Sequence, residues 1–336
     1  MPILRALHRL ALAAERRLDR HVARKGRERP IIEPYGGYAT PEHLIARARV
    51  VSALRRGEPL PTQSRWTNFR QMLALFLTGE VEGVTVEGGG VEAVSDAEGY
   101  VSLLVPREGQ GPGWHGIDAR CAGFAEARSL PVLVPRPDAA FGVISDIDDT
   151  LIHTGSYSLV RNLWNSLTGN ALTREVFADS VALMRRWHED GRNPVFYVSS
   201  SPWNLHHFLQ TIFAGAGLPE GPKFLRDYGI SETSLIAEGH GGHKGSAIDV
   251  ILGANPRLPF RLLGDTGQED AEVYLEAARR HPGRITHVAL RRPGPEAWRA
   301  DPRSRTAMEA MRALGIEVFA GADFTGLMPA GARPVS

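Results

Sequence analysis

Apolar residues recur in three different rhythms along this chain. From residue 1 to about 29 they come at helical spacing, at Leu4, Leu7, Ala11, Ala14, Leu18 and Val22. From about 31 to 138, short apolar runs are separated by turn residues. Residues 46–54 and 100–105 read as strands, and 81–86 and 91–94 flank Gly88, Gly89 and Gly90 as the arms of a hairpin would. Asp96-Ala97-Glu98-Gly99 supplies a turn before Tyr100. Residues 66–77 interrupt the pattern as a short helix. No helix alternates regularly with these strands, so residues 30–138 predict a small β-sandwich domain. No catalytic cluster falls in it, which suits a structural or docking role.

Pro131, Pro135 and Pro137 mark the exit, and the third rhythm follows. Residues 141–145 are a strand. Phe177, Val181, Met184 and Trp187 mark one face of a helix that stops at Gly191. Then come a strand over 194–198, helices over 204–213 and 246–252, and a strand over 260–263 that runs into Gly264-Asp265. A helix over 270–281 and a strand over 285–290 close the series. Alternation of this kind predicts an α/β domain over 139–328, a parallel sheet with helices on both faces.

Charge changes the reading of the first segment. Residues 1–29 hold nine Lys and Arg against three acids, while the whole chain of 336 residues carries only +1. This predicts a basic amphipathic helix. It either rests on an anionic membrane surface or packs on the protein with a solvated basic face. The near-zero total gives no general attraction to nucleic acid, and no nucleic-acid partner is expected. A hydrophobic content of 43% supports a sizeable core, and the length favours more than one domain. Cys121 is the sole cysteine, which excludes an intrachain disulfide and a thiolate metal cluster. No apolar stretch is long enough for a spanning helix, and Arg5, Arg9, Arg16 and Arg17 break up any signal-type apolar core. The expected location is cytoplasmic, with the inner membrane face as a candidate peripheral site.

The candidate chemistry begins at Phe-Gly-Val-Ile-Ser-Asp-Ile-Asp-Asp-Thr-Leu, residues 141–151. Spaced carboxylates at the end of an apolar strand concentrate negative charge, which is unfavourable unless a cation or a reaction uses it. Three more segments fall at strand ends or beside them: Val198-Ser199-Ser200-Ser201-Pro202-Trp203, His243-Lys244-Gly245, and Gly264-Asp265-Thr266-Gly267-Gln268-Glu269-Asp270. Parallel strands bring their carboxyl ends together, so the four can share one crevice. Each residue type has a task in phosphoryl transfer. Asp146 can attack phosphorus, and Asp148 can protonate the leaving oxygen and later activate water. Asp146 and Asp265 can share a Mg²⁺, with Asp270 completing the site directly or through water. Ser199 and Lys244 offer a hydroxyl and a positive charge to phosphate oxygens, with Thr150 and Ser200 as further substrate-binding candidates.

The series Asp-x-Asp-x-Thr, Ser, Lys, then Gly-Asp-x-x-x-x-Asp, spread over residues 141–290, resembles the haloacid-dehalogenase-like phosphatases. The resemblance implies a Rossmann-like parallel sheet with Asp146 as nucleophile and Asp148 as general acid and base. Ser199 and Lys244 are then phosphate-binding. Mg²⁺ is then held by Asp146, the backbone carbonyl of Asp148 and Asp265, with Asp270 in support. A narrower resemblance is carried by GVISDIDDT, YVSSSPW and GD-x-GQ-x-D-x-E-x-Y. These words are similar to the catalytic domain of the actin-patch-associated phosphatidate phosphatase family, which has bacterial members. The implied substrate is phosphatidate, hydrolysed to diacylglycerol and phosphate. The chain has no extended proline-rich tail of the kind that meets actin-patch adaptors.

The gaps between motifs leave no room for a complete cap domain, so a minimal cap is expected, open to bulky substrates. A flap over 153–169 carries Tyr157, Leu159, Val160, Leu163, Trp164 and Leu167, either as an apolar lip for lipid or as packed residues. Two rival readings stay open. One keeps the mechanism and acts on a soluble or polymeric phosphomonoester. The other is a non-catalytic module that binds phosphate or lipid.

Overall fold

The computed structural model describes residues 30–52, 81–153, 176–226, 240–292 and 302–328. The helices expected over 1–29 and 66–77, and the flap beyond His153, lie outside the described residues. Two compact units divide the chain, and apart from two short earlier stretches the second begins at Leu133.

The first sheet is built from β1 (Pro30–Ala39), β2 (His43–Ser52), β3 (Thr85–Gly88), β4 (Val91–Val94), β5 (Tyr100–Pro106), β6 (Gly113–Cys121) and β7 (Ala127–Val134). Their order is β4-β3-β6-β7-β1-β2-β5, with β2–β5, β3–β4 and β3–β6 paired antiparallel. The end strands β4 and β5 approach each other. Strict alternation on β5 buries Val101, Leu103 and Val105 and turns the residues between them outward. At the β3–β4 turn, Gly89 and Gly90 both have positive φ, 58° and 79°, as a tight hairpin requires. A Cβ on Gly89 would also lie 2.6 Å from Val105. The strand expected over 81–86 starts only at Thr85, because Gly83 turns the chain at φ 74°. Three strands escape the sequence reading. β1 is obscured by Pro30, Pro34 and paired glycines, β6 has a polar face, and β7 contains Pro131, which reads as a domain exit.

The second sheet holds β8 (Gly142–Asp146), β9 (Val195–Pro202), β10 (Lys223–Arg226), β11 (Phe260–Asp265), β12 (Ile285–Arg291) and β13 (Glu317–Gly321). Its order is β10-β9-β8-β11-β12-β13, and every pairing is parallel. The helices with it are α1 (Ala178–His188), α2 (His206–Ala216), α3 (His240–Ala254), α4 (Asp270–Arg280) and α5 (Pro302–Ala313). Every residue of β8 is buried, which explains its unbroken apolar text. Ile144, Phe196, Phe260, Ile248, Ile251, Leu290 and Met311 belong to one continuous core. Burying each such large side chain stabilises the domain by about 1.5–3 kcal/mol. Helix α4 shows the same logic at helical period, with Ala271, Tyr274, Ala277 and Ala278 buried while Glu276 and Arg279 pair outside.

From β8 the chain builds outward to β9 and β10 on one side, then returns to build β11, β12 and β13 on the other. The order therefore reverses between β8 and β11. At such a reversal, helices leave on opposite faces and a crevice opens at the carboxyl ends. Asp146 is the last residue of β8 and Asp265 the last of β11.

Helix α3 begins at His240 rather than near residue 246. Gly241, Gly242 and Gly245 are poor helix formers and hide its start from a propensity reading. Strand β10 has only four residues, too few for a periodic signal.

Candidate active site

Four backbone segments deliver polar side chains to the carboxyl ends of β8, β9 and β11. After Asp146 the chain turns sharply. The amides of Leu151 and Ile152 donate to the Ile147 carbonyl at 3.0 and 3.1 Å, and the Asp149 amide donates to Ile152 O at 2.9 Å. Asp149 takes φ 56°, a left-handed conformation that Asp tolerates better than most side chains. This turn sets Asp148 beside β9.

Strand β9 bulges where they meet. Val198 pairs with Phe224 and Pro202 with Arg226, so Ser199, Ser200 and Ser201 together stand opposite Leu225. Ser199 and Ser201 share a face by two-residue alternation. Both hydroxyls donate to Asp148 Oδ2, at 2.7 and 2.8 Å, and the Ser201 amide donates to Ser199 Oγ at 2.9 Å.

Lys244, on the first turns of α3, reaches back to the sheet. Its Nζ lies 2.7 Å from Asp146 Oδ1, an ion contact without hydrogen-bond alignment, and donates to Asp270 Oδ1 at 2.6 Å. Asp270, at the start of α4, accepts the Asp265 amide on Oδ2 at 3.1 Å. Both Asp270 oxygens are thus engaged in orientation. Asp265 Oδ1 accepts the amides of Gly267 and Gln268 at 2.6 and 2.9 Å, which fixes the loop between β11 and α4. Gly264 makes this packing possible, since a Cβ there would lie 2.6 Å from Asp270 Oδ2 and 2.8 Å from the Tyr274 hydroxyl. That hydroxyl donates to Leu263 O at 2.8 Å.

Asp146, Asp265 and Asp270 offer oxygens within 4.8 Å of one another, the one such metal-capable group among the described residues. All three are buried, and the Lys244 ammonium touches Asp146 and Asp270. Among the described residues, Asp146 Oδ2, Asp148 Oδ1, Asp265 Oδ2 and Thr150 Oγ1 are buried with no hydrogen-bond partner. Unpaired carboxylate oxygens at the centre of a buried acidic cluster fit a hard divalent cation, whose charge would offset their repulsion.

The electrostatics agree with that fit. Burial first, and the neighbouring charge of Asp270 second, push Asp146 well above the usual carboxylate range. The same two causes push Asp265 up to about 8. Burial also raises Asp148, and the hydroxyls of Ser199 and Ser201 pull it part of the way back. For Lys244, burial works downward, but Asp146 and Asp270 outweigh it and hold the ammonium charged.

Of the candidate residues, Asp146, Lys244, Asp265 and Asp270 meet in one cluster, and Asp148 stands beside Ser199. The Asp148 carbonyl accepts Gln268 Nε2 at 3.4 Å, which links the first and fourth segments. Ser200 is half-buried, and Thr150 sits at the exit of the turn with its carbonyl accepting Ser180 Oγ at 2.7 Å. His153 is exposed, 5.7 Å from the Phe177 ring. Ser201, Gln268 and Tyr274 were given no role by the sequence. Alternation along β9 was the available signal for Ser201, and the four-residue step from Asp270 was the signal for Tyr274.

The comparisons with known proteins fall on this half of the chain. Residues 141–292 match the family model of the phosphatidate phosphatase APP1 catalytic domain. That segment, a little under half of the chain, is similar to this catalytic domain. Phosphatidate phosphatase APP1 of Saccharomyces cerevisiae is 31% identical over 150 residues, covering 45% of this chain and 25% of the yeast protein. The uncharacterized protein C29B5.04c of Schizosaccharomyces pombe is 28% identical over 159 residues, covering 44% of this chain and 24% of its own length. The chain thus spans about a quarter of the length of these curated relatives. The APP1-type segment begins at Phe141 and runs just past β12, so it contains all four motif segments. Among the described residues, no helix is long and apolar enough to cross a membrane.

Proposed function

We propose that the APP1-type domain is a Mg²⁺-dependent phosphatidate phosphatase of the haloacid-dehalogenase type, releasing diacylglycerol and phosphate through an aspartyl-phosphate on Asp146. One observation carries the reading: the unpaired Asp146 and Asp265 oxygens share a buried cluster with Lys244, at the reversal of strand order. The yeast relative's name supports phosphatidate as the substrate.

A carboxylate oxygen of Asp146 attacks phosphorus, and the bond from phosphorus to the glycerol oxygen breaks. Asp148 gives its proton to that leaving oxygen, which departs as the diacylglycerol hydroxyl. Its raised proton affinity supports this starting state. Water then attacks the phosphoaspartate, Asp148 takes one of its protons, and inorganic phosphate leaves with Asp146 restored. Asp146, Asp265 and the Asp148 carbonyl would hold Mg²⁺, with Asp270 fixing the geometry. The cation would neutralise phosphate charge that otherwise repels the nucleophile. Lys244 adds a fixed positive charge, and Thr150 Oγ1 is an available donor for a phosphate oxygen. Ser199 spends its proton on Asp148, so its part moves from holding phosphate to orienting the general acid.

The test is a Mg²⁺-dependent phosphate-release panel of phosphatidate, lysophosphatidate, diacylglycerol pyrophosphate and a sugar phosphate. Fastest release from phosphatidate in mixed micelles is expected. Turnover of the sugar phosphate with phosphatidate untouched would reject the lipid substrate and leave the mechanism. The basic stretch 1–29 supplies a further expectation, flotation with anionic vesicles that is lost on its deletion.

A further inference from the structure

Arg291 ends β12 with its guanidinium buried, and none of the steps above uses it. Burial of a permanent charge is unfavourable unless nearly every donor is matched. Here they are. One terminal nitrogen bonds Asp179 Oδ2 and donates to Ser180 Oγ at 2.7 Å, the other donates to Ala322 O at 3.0 Å, and Nε donates to Thr150 O at 3.4 Å. The guanidinium carbon packs over two rings, 3.9 Å from the Phe177 centroid and 4.7 Å from that of Phe324.

The direction of these bonds matters. Arg291 donates to Ser180 Oγ, and Ser180 in turn donates to the Thr150 carbonyl at 2.7 Å. The Phe177 amide donates to Leu151 O at 2.9 Å, and the Phe324 amide to Asp179 Oδ2 at 2.8 Å. One cation therefore gathers the exit of the Asp146–Thr150 turn, the start of α1 and the stretch around Phe324. Its own carbonyl accepts the Thr266 amide at 2.8 Å, next to Asp265.

The geometry points to Arg291 as a positioning residue: a buried guanidinium clamp that acts through Ser180 and the Thr150 carbonyl to hold the turn carrying Asp148. The catalytic part of this inference rests on the phosphatase reading. A lysine cannot replace it, because a point charge lacks the fork that serves Asp179, Ser180, Ala322 and Thr150 together. Loosening the turn moves Asp148, and displacements of about 1 Å in an acid–base group lower turnover by up to about a hundredfold.

The experiment compares the intact chain with Arg291→Lys and with Ser180→Ala, which breaks the relay while sparing the pair with Asp179. The readouts are kcat and KM for phosphatidate, and hydrogen exchange at the Leu151 and Ile152 amides. The expected result is a kcat loss of about tenfold to a hundredfold in R291K and several-fold in S180A. KM should hold within about twofold, as for a contact that acts only on the chemical step. Both amides should exchange faster. If R291K does not fold, S180A decides alone. Wild-type kcat and unchanged exchange in the folded variants, with only a lower Tm, overturn the clamp. A wild-type protein inactive on every ester rejects the phosphatase reading instead. The exchange arm then decides the clamp, for it if the variants exchange faster and against it if they do not.

Discussion

Replacing Asp265 by Asn tests the metal site with little disturbance of its frame. Asp265 Oδ1 accepts the Gly267 and Gln268 amides, and the Asn amide oxygen can keep both bonds. The amide nitrogen then occupies the place of Oδ2, the oxygen left unpaired. A donor N–H faces the cation there, and one unit of negative charge is gone. A site filled at 100 times its Kd stabilises the folded state by about 2.7 kcal/mol. For a domain of about 150–250 residues each kcal/mol is about 2–4 °C, so Mg²⁺ should raise the wild-type Tm by about 5–11 °C. D265N should lose that rise. The pH dependence has a definite sign. Burial and Asp270 lift the folded Asp265 from its ordinary 3.8 to about 8, so the folded state holds this proton more tightly than the unfolded chain does. The stability this gives the metal-free protein is in place below 3.8 and is lost as pH rises through about 8. At the lower end of that window Mg²⁺ must displace the proton, so its stabilising effect grows as pH rises. Differential scanning fluorimetry with and without Mg²⁺, from pH 6 to about 8.5, reads both effects. Equal Mg²⁺ shifts in the two proteins would take Asp265 out of the site, and no shift in the wild type would refute a metal site altogether.

Asp146→Asn should abolish phosphate release with an unchanged circular dichroism spectrum, because the amide keeps the shape of the carboxylate and cannot act as the nucleophile. Gly264→Ala should destabilise the domain by about 1–3 kcal/mol in chemical denaturation and blunt the Mg²⁺ response, since its Cβ would press on Asp270 and Tyr274. Ser201→Ala removes one of two donors to Asp148 Oδ2, and steady-state kinetics should show kcat down about tenfold with KM little changed. Wild-type kcat in S201A would mean that Ser199 alone orients Asp148.

The parts of this molecule that were legible in sequence are those set by local pattern. β8 and β11 are covered on both faces, so each appears as an apolar run that stops at an aspartate. Helix α4 announces itself through alternating buried and charged positions. That strand ends carrying Asp146 and Asp265 could share a crevice follows from parallel topology alone. Other features have no local signature. The start of α3 is one of them: Gly241, Gly242 and Gly245 mask its first turns, so Lys244 lies inside the helix rather than just ahead of it. Strand β10 is held by its neighbour β9 rather than by any strong tendency of Lys223–Arg226. The Arg291 clamp joins positions more than a hundred residues apart through the Thr150 carbonyl and the side chains of Asp179 and Ser180, which no spacing rule registers.

The central claim is that Asp146 is transiently phosphorylated at this acidic cluster. The direct measurement is a rapid acid quench of the protein with Mg²⁺ and phosphatidate labelled in its phosphate, followed by digestion and mass spectrometry. The account predicts one phosphoryl group on the peptide containing Asp146, present in the wild type during turnover and absent from Asp146→Asn. Label on another residue, or wild-type turnover with no label on Asp146 at any quench time, would contradict it.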